Sequence, residues 1–162
     1  MNNEIAILIG NAQVALQACP IRPHWVLEGN PQARSHVLSS SADGTATTVI
    51  WDCSAGRFKW NYGVDETIYF IEGSVTIRDQ AGVDHQLKAG DTVFFPAGSS
   101  AEWTVEKYIR KVAFLRTPLP WQVQLLRKAY KSVKRVLGKG GPSGSPADML
   151  GQVRNIPGET SV

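Results

Sequence analysis

The side chains that most often carry chemistry are few in this chain and are spread along it. The 162 residues include three histidines, His24, His36 and His85, and two cysteines, Cys19 and Cys53. Cys53 lies in a β-branched segment with no histidine near it in sequence, so we interpret it as a small buried hydrophobic residue rather than a nucleophile. Two cysteines without an export signal disfavour a disulfide framework, and we expect a reduced, cytoplasmic setting.

Aromatic residues alternate with polar ones in one short segment. In Arg57–Tyr62, the residues Phe58, Trp60 and Tyr62 fall on one side of the alternation, and the carboxylate Glu66 follows shortly after. A period of two is typical of a β-strand with one apolar face. We therefore predict a strand here whose buried side is aromatic.

Segments of strand character follow one another from Thr45 to Arg116, separated by turns rich in Gly, Asp and Pro. Eight or so short strands at regular spacing predict an all-β sandwich or barrel. Because glycine supplies the positive φ that tight hairpins need, Gly73–Ser74 is interpreted as a turn between the strands Thr67–Glu72 and Val75–Asp79.

The two ends of the chain differ from this middle part. Residues 1–24 are assigned to an N-terminal extension with a short helix at Asn11–Ala18. From Thr117, prolines followed by apolar residues at helical spacing predict a basic amphipathic helix, and residues 117–162 are assigned to this helix and a flexible tail.

Charge is distributed unevenly between these parts. Residues 1–116 hold ten Lys and Arg against twelve Asp and Glu, whereas residues 117–162 hold seven against two. The basic character therefore belongs to the tail, and nucleic-acid binding by the main domain is disfavoured. No apolar stretch is long enough for a membrane span, so none is expected.

Two segments of the middle part resemble the motifs of the cupins. Residues 56–73 read GRFKWNYGVDETIYFIEG and residues 90–105 read GDTVFFPAGSSAEWTV. They are similar to the cupin patterns G-x5-H-x-H-x3,4-E-x6-G and G-x5-P-x-G-x2-H-x3-N. The positions that match are Glu66, Gly73, Gly90, Pro96 and Gly98. The resemblance is to the small cupins grouped with ureidoglycine aminohydrolase and the ethanolamine-utilisation cupin protein.

This resemblance implies a fold more specifically than a function. It implies a cupin-type double-stranded β-helix, a jelly-roll barrel, over residues 25–116, followed by the C-terminal amphipathic helix. It also implies a homodimer, since small cupins usually pair through their sheets. Because one fold hosts unrelated chemistries, the function has to be argued from the site.

The histidines with which cupins hold a metal are replaced in this chain. The resemblance places Trp60 and Tyr62 at the first two histidine positions and Ala101 at the third, while the three histidines present lie outside both motifs. Of the four ligand positions, Glu66 alone is retained. A divalent transition metal needs three or four converging donors. We therefore predict no cofactor, with a divalent metal at Glu66 as the less favoured alternative.

In place of the metal, the resemblance implies a pocket inside the barrel. Strand alternation directs Trp60, Tyr62 and Glu66 inward, with Ala101 and Trp103 facing them from the opposite sheet. These five are the predicted ligand-binding residues, and aromatic walls with one carboxylate and one phenol suit a small polar metabolite. Glu66 as acid or base and Tyr62 as donor are the candidate catalytic residues. The alternative is that the rings simply fill the barrel.

Three functions are compatible with these features. The first is a small-molecule-binding cupin that lacks the usual metal-ligand histidines. The second is a hydrolase or lyase acting on a ureido or amino compound, which the likeness to ureidoglycine aminohydrolase suggests. The third is a non-catalytic regulatory protein that binds a partner through the basic helix. Binding and catalysis both remain open at this point.

Overall fold

The computed structural model describes residues 7–118, 120, 122–123, 125–126 and 129–130. The described chain is almost entirely β-structure, which confirms the predicted all-β fold. One short 3-10 helix, Pro23–Trp25, precedes β2. The strands are β1 (Gln17–Ala18), β2 (Val26–Glu28), β3 (Ala33–Ser40), β4 (Ala46–Asn61), β5 (Asp65–Arg78), β6 (Asp84–Lys88), β7 (Thr92–Phe95) and β8 (Ser100–Arg116).

All these strands belong to one antiparallel sheet in the order β1-β3-β4-β8-β5-β6, with β2 added to β4 and β7 to β5. Strand β8 lies between β4 and β5 and pairs with both along most of its length. The sheet encloses one core, to which β4, β5 and β8 contribute most of the buried aromatic and branched side chains. Within the described residues, no helix is long and apolar enough to cross a membrane.

Strand β4 combines two of the predicted strands and is irregular between Ser54 and Gly56, where its register with β8 shifts. An extra residue in one strand of a pair reverses which side chains point inward. Before the bulge Trp51 and Cys53 are buried, and after it Phe58 is buried. The bulge thereby brings the aromatic segment of β4 onto the core side of the sheet.

The predicted hairpin at Gly73–Ser74 is wrong, because both predicted strands belong to β5. The register of β5 against β8 shifts between Gly73 and Thr76. Gly73 has φ of 77°, and a side chain at this position would overlap the carbonyl oxygen of Tyr108. Glycine is therefore required here by the close approach of two strands at a bulge, rather than by a chain reversal.

The predicted helix at Asn11–Ala18 is also wrong. The side-chain oxygen of Asn11 accepts a hydrogen bond from the Gln13 amide at 2.8 Å, which holds a turn, and β1 then pairs with β3. Asparagine competes with helix formation through such local bonds. The Arg110 guanidinium donates to the Ala12 carbonyl at 2.6 Å and ties this segment to β8.

The first compact unit of the chain ends at Pro118. Beyond it, residues 122–123, 125–126 and 129–130 have helical backbone. The rest of the predicted basic helix and the predicted flexible tail lie outside the described residues.

Candidate functional site

The five residues predicted to line a pocket all lie on the core side of the sheet. Tyr62, Glu66, Ala101 and Trp103 are buried, and Trp60 is half-buried and packs against the core. Trp60 is directly opposite Ala101 in the pairing of β4 with β8. The structure therefore brings these side chains together on the core side, as the alternation predicts. Ala101 and Trp103 lie on β8, which is paired with β4, and their predicted placement on an opposite sheet is wrong.

Tyr62 is fixed on both sides by aromatic neighbours. Its hydroxyl accepts a hydrogen bond from Trp103 Nε1 at 2.9 Å, and its ring stacks on Phe95 with centroids 4.1 Å apart and planes 6° from parallel. Burial, with a smaller contribution from the nearby Glu66 charge, raises the pKa of the Tyr62 phenol well above its usual range. Tyr62 is therefore neutral, and its hydroxyl oxygen is bonded to the indole of Trp103.

A residue that the sequence patterns did not identify, Lys111 on β8, contacts the retained motif carboxylate. Its Nζ donates to Glu66 Oε1 at 2.7 Å, and the two residues are only 4% and 6% exposed. The ammonium lies 4.8 Å from the ring centroid of Trp103 and 5.0 Å from that of Trp51. Buried charges persist when they are paired, and aromatic faces attract cations. Lys111 thus supplies a cation inside the barrel.

The residues at the cupin metal positions do not fit a divalent metal. Trp60 and Ala101 offer no suitable donor atom, and the Tyr62 oxygen bonds the Trp103 indole. The Glu66 carboxylate bonds an ammonium, whose charge would repel a metal ion at that distance. Among the described residues, no three His, Cys, Asp or Glu side chains are grouped as metal ligands. These donors do not make the three- or four-ligand site that transition metals need.

The buried group formed by Tyr62, Glu66, Trp103 and Lys111 is called the packed centre below. A cleft of about 530 Å³ opens beside it, between the β5–β6 hairpin and the loop that joins β7 to β8. Of the five predicted ligand-binding residues, Ala101 lines this cleft, and the other four do not. Phe95 connects the two regions, because it lines the cleft and stacks on Tyr62. The buried lining residues are apolar: Ile77, Phe95 and Ala101. The half-buried ones include the apolar Leu87 and Val93 and the polar Asp79, Ser99 and Ser100.

Two ionisable side chains at the cleft form a pair. His85 Nε2 lies 2.9 Å from Asp79 Oδ2, while Asp79 Oδ1 accepts from the amides of Ala81 and Val83, each at 2.9 Å. The contact with His85, followed by those amides, lowers the pKa of Asp79 and keeps it ionised. His85 lies outside both motifs, but strand alternation places it on the same side of β6 as Leu87, which is the sequence signal for it.

The buried thiol of Cys53 has little reactivity. Cys53 is fully buried, and desolvation, with a smaller effect of Asp52, raises the pKa of its thiol to about 12. Both cysteines are free, with Cys19 exposed. A thiol reacts as the thiolate, so Cys53 acts as an apolar core residue, as the sequence predicts.

Several solved structures are similar to this chain. A DUF861-family protein of unknown function from Pseudomonas syringae pathovar tomato is 26% identical, with a TM-score of 0.60 over 65% of this chain and 46% of that one. A predicted oxalate decarboxylase from Thermotoga maritima is 16% identical, with a TM-score of 0.54 over 68% and 99%. A putative ethanolamine utilization protein Q from Salmonella typhimurium is 21% identical, with a TM-score of 0.48 over 66% and 98%.

The chain has the fold of a small cupin barrel. More specifically, residues 40–113 match the family model of the EutQ-like cupin domain. None of the curated proteins gives a significant match to the chain. The alignment spans less than half of the Pseudomonas protein, and the likeness to the Thermotoga protein concerns the fold. The function has to be argued from the residues of this chain.

Proposed function

We propose that this protein is a small-molecule-binding cupin that operates without a metal, and that its ligand occupies the cleft beside Ala101. The observation that carries the proposal is the cleft itself, which has about 530 Å³ of space and an apolar lining from β5, β6, β7 and β8. Ligand sites in proteins are typically about 300–1,000 Å³ in volume, mostly apolar, with a few well-placed polar groups. This cleft has all three properties.

The packed centre then acts as the support of the cleft. The stack of Phe95 on Tyr62 and the hydrogen bond from Trp103 to Tyr62 fix the position of the Phe95 ring, which forms part of the wall. A wall held rigid in this way loses little entropy when a ligand binds. In this proposal Ala101 touches the ligand, whereas Tyr62, Glu66 and Trp103 act through the residues that they position.

Independence from metal is supported by the ammonium of Lys111 at the retained carboxylate. Untagged protein is purified, dialysed mildly and measured by elemental analysis, with expected Mn, Fe, Ni and Zn contents far below one equivalent. Stoichiometric content of any of these metals would contradict this part of the proposal. The metal content of the K111A variant is measured for comparison, because this substitution removes the ammonium from the Glu66 carboxylate without adding a metal-ligating atom.

The cleft is tested with toluene, a probe that has apolar surface and no hydrogen-bonding group. Ala81 is exposed and lines the cleft, whereas Ala89 is exposed in the next turn and does not. Tryptophan at position 81 fills the opening, so A81W is expected to weaken toluene binding roughly tenfold, equivalent to about 1.4 kcal/mol. The matched variant A89W should bind as the wild type does. Ligand-observed NMR provides the affinities, and a wild type that shows no toluene binding contradicts the proposal.

A further inference from the structure

We infer that His85, oriented by Asp79, is a recognition group for a ligand hydroxyl in this cleft. The ligand class is a small neutral alcohol or phenol with an apolar body. The inference rests on the proposed function and deepens it, since it names what the cleft selects. Two observations carry it: the hydrogen-bonded position of the imidazole and the charge balance around it.

The tautomer of the neutral imidazole follows from its hydrogen-bond partner. Asp79 is held by the two backbone amides of the β5–β6 turn, and an ionised carboxylate only accepts hydrogen bonds. In the 2.9 Å contact, the Nε2–H group of His85 therefore donates a hydrogen bond to Asp79 Oδ2. In a neutral imidazole the other nitrogen is then an acceptor. Within residues 7–118 Nδ1 has no hydrogen-bond partner of its own, so it is available to a donor from the ligand.

The position of His85 places this acceptor beside apolar surface. His85 pairs directly with Ile77 across β5 and β6, and Leu87 follows it on the same side of β6. Both neighbours line the cleft together with His85. The His85 side chain is 49% exposed, so a ligand can reach it from solution. A site that bonds a hydroxyl favours the alcohol over the analogue that lacks this group.

The surrounding charges favour a neutral ligand. Arg78 and Asp84, which flank the β5–β6 turn, neutralise each other through two bonds of 2.7 and 2.8 Å. Asp79 is already bonded to His85 and to the turn amides. No unpaired charge of this turn is therefore directed at the ligand. The pair of His85 and Asp79 contributes a hydrogen bond to the ligand rather than an ion pair.

The test uses toluene and p-cresol, which differ only by one hydroxyl. For the wild type we expect p-cresol to bind roughly three- to tenfold more tightly than toluene, the range that one net hydrogen bond supports. H85F should abolish this preference while toluene still binds, and H85Q, whose amide oxygen accepts, should restore part of it. H24F alters an exposed histidine outside the cleft and should keep the wild-type preference.

The outcomes separate the two proposals. Equal affinities of the wild type for both probes, or a preference that survives in H85F, overturn the hydroxyl recognition and leave the cleft standing. Failure of both probes to bind overturns the proposed function and this inference with it. A long-range 1H–15N spectrum reads the tautomer independently of binding. We expect the proton of neutral His85 on Nε2, and a proton on Nδ1 instead would refute the assignment.

Discussion

The ammonium of Lys111 lies 2.7 Å from the carboxylate of Glu66, and both side chains are enclosed by the strands that carry them. Each charge is stabilised by the other because neither reaches water. Removing one member of such a pair leaves a buried charge uncompensated, whereas replacing both by apolar residues is often neutral.

Substitution K111M is therefore expected to lower the free energy of unfolding by about 3–5 kcal/mol. The double variant K111M/E66L should recover most of this loss, because no charge remains in the core. Chemical denaturation of K111M, E66L and the double variant measures the coupling free energy between the two side chains. R78M, which breaks the exposed pair with Asp84, is the control and should cost about 0–1 kcal/mol. Additive losses in the double variant would contradict the pairing.

The bond between Tyr62 and Trp103 gives a second prediction. Y62F keeps the stacking on Phe95 but leaves the buried indole N–H without its acceptor. The expected loss of stability is about 1–3 kcal/mol, the cost of an unsatisfied buried donor. Y69F removes the hydroxyl of a tyrosine that is 43% exposed and should change stability by less than about 0.5 kcal/mol. Equal effects of the two variants in urea denaturation would refute this role of Tyr62.

Gly73 and Gly82 form a matched pair for the bulge in β5. Both have a positive φ, 77° and 83°, but a Cβ at Gly73 meets the Tyr108 carbonyl, while one at Gly82 has no atom within 4 Å. G82A should cost about 1–2 kcal/mol from backbone strain alone. G73A adds the displacement of β8 and should exceed about 4 kcal/mol. Thermal and urea unfolding of both variants provide the comparison, and similar losses would show that the close approach is relieved cheaply.

Asp65 makes part of the stability depend on pH. Its carboxylate accepts from the Ala97 amide at 3.0 Å and from Arg116 at 2.7 Å, and these bonds lower its pKa below the ordinary value. A carboxyl group with a lowered folded pKa stabilises the protein above its unfolded pKa of about 3.9 and loses that effect as the pH falls through the folded value.

The stability difference between the wild type and D65N should therefore be constant from about pH 7 to about pH 5 and should shrink as the pH is lowered toward about 2. Urea midpoints measured across this range give the difference at each pH. T67A, a substitution of an exposed neighbour on β5, provides a control whose difference from the wild type is independent of pH. A difference between the wild type and D65N that grows in acid would contradict the assigned sign.

The inward placement of the motif residues was predictable because two simple rules agree on it. The period of two in Arg57–Tyr62 and the spacing of the motifs both put Tyr62 on the core side, and the motif spacing does the same for Glu66 on β5. The direct pairing of Trp60 with Ala101 depends on the strand order of the folded sheet, which these local patterns do not give. The sequence predicts a turn at Gly73 where the structure has a bulge, because a glycine with positive φ is suited to both. The distinction depends on Tyr108, which is distant in sequence and adjacent only in the folded sheet.

Lys111 and His85 illustrate where local patterns stop being informative. Alternation in β8 sets Lys111 on the same side as the buried Ile109 and Ala113, but lysine at a core position is usually read as an irregularity of the pattern. Its partner Glu66 lies on another strand, so the pair exists only through the tertiary fold. His85 likewise becomes a cleft residue through the turn that positions Asp79 beside it.

A cation delivered by a side chain differs from one acquired from solution in how it reaches the protein. The Lys111 charge is incorporated when the chain is synthesised, at a fixed stoichiometry of one per barrel, and it forms a covalent part of β8. A chelator cannot withdraw it, a competing ion cannot displace it, and it has no accessible second oxidation state. The charge at the centre of this barrel is therefore present as soon as the chain has folded.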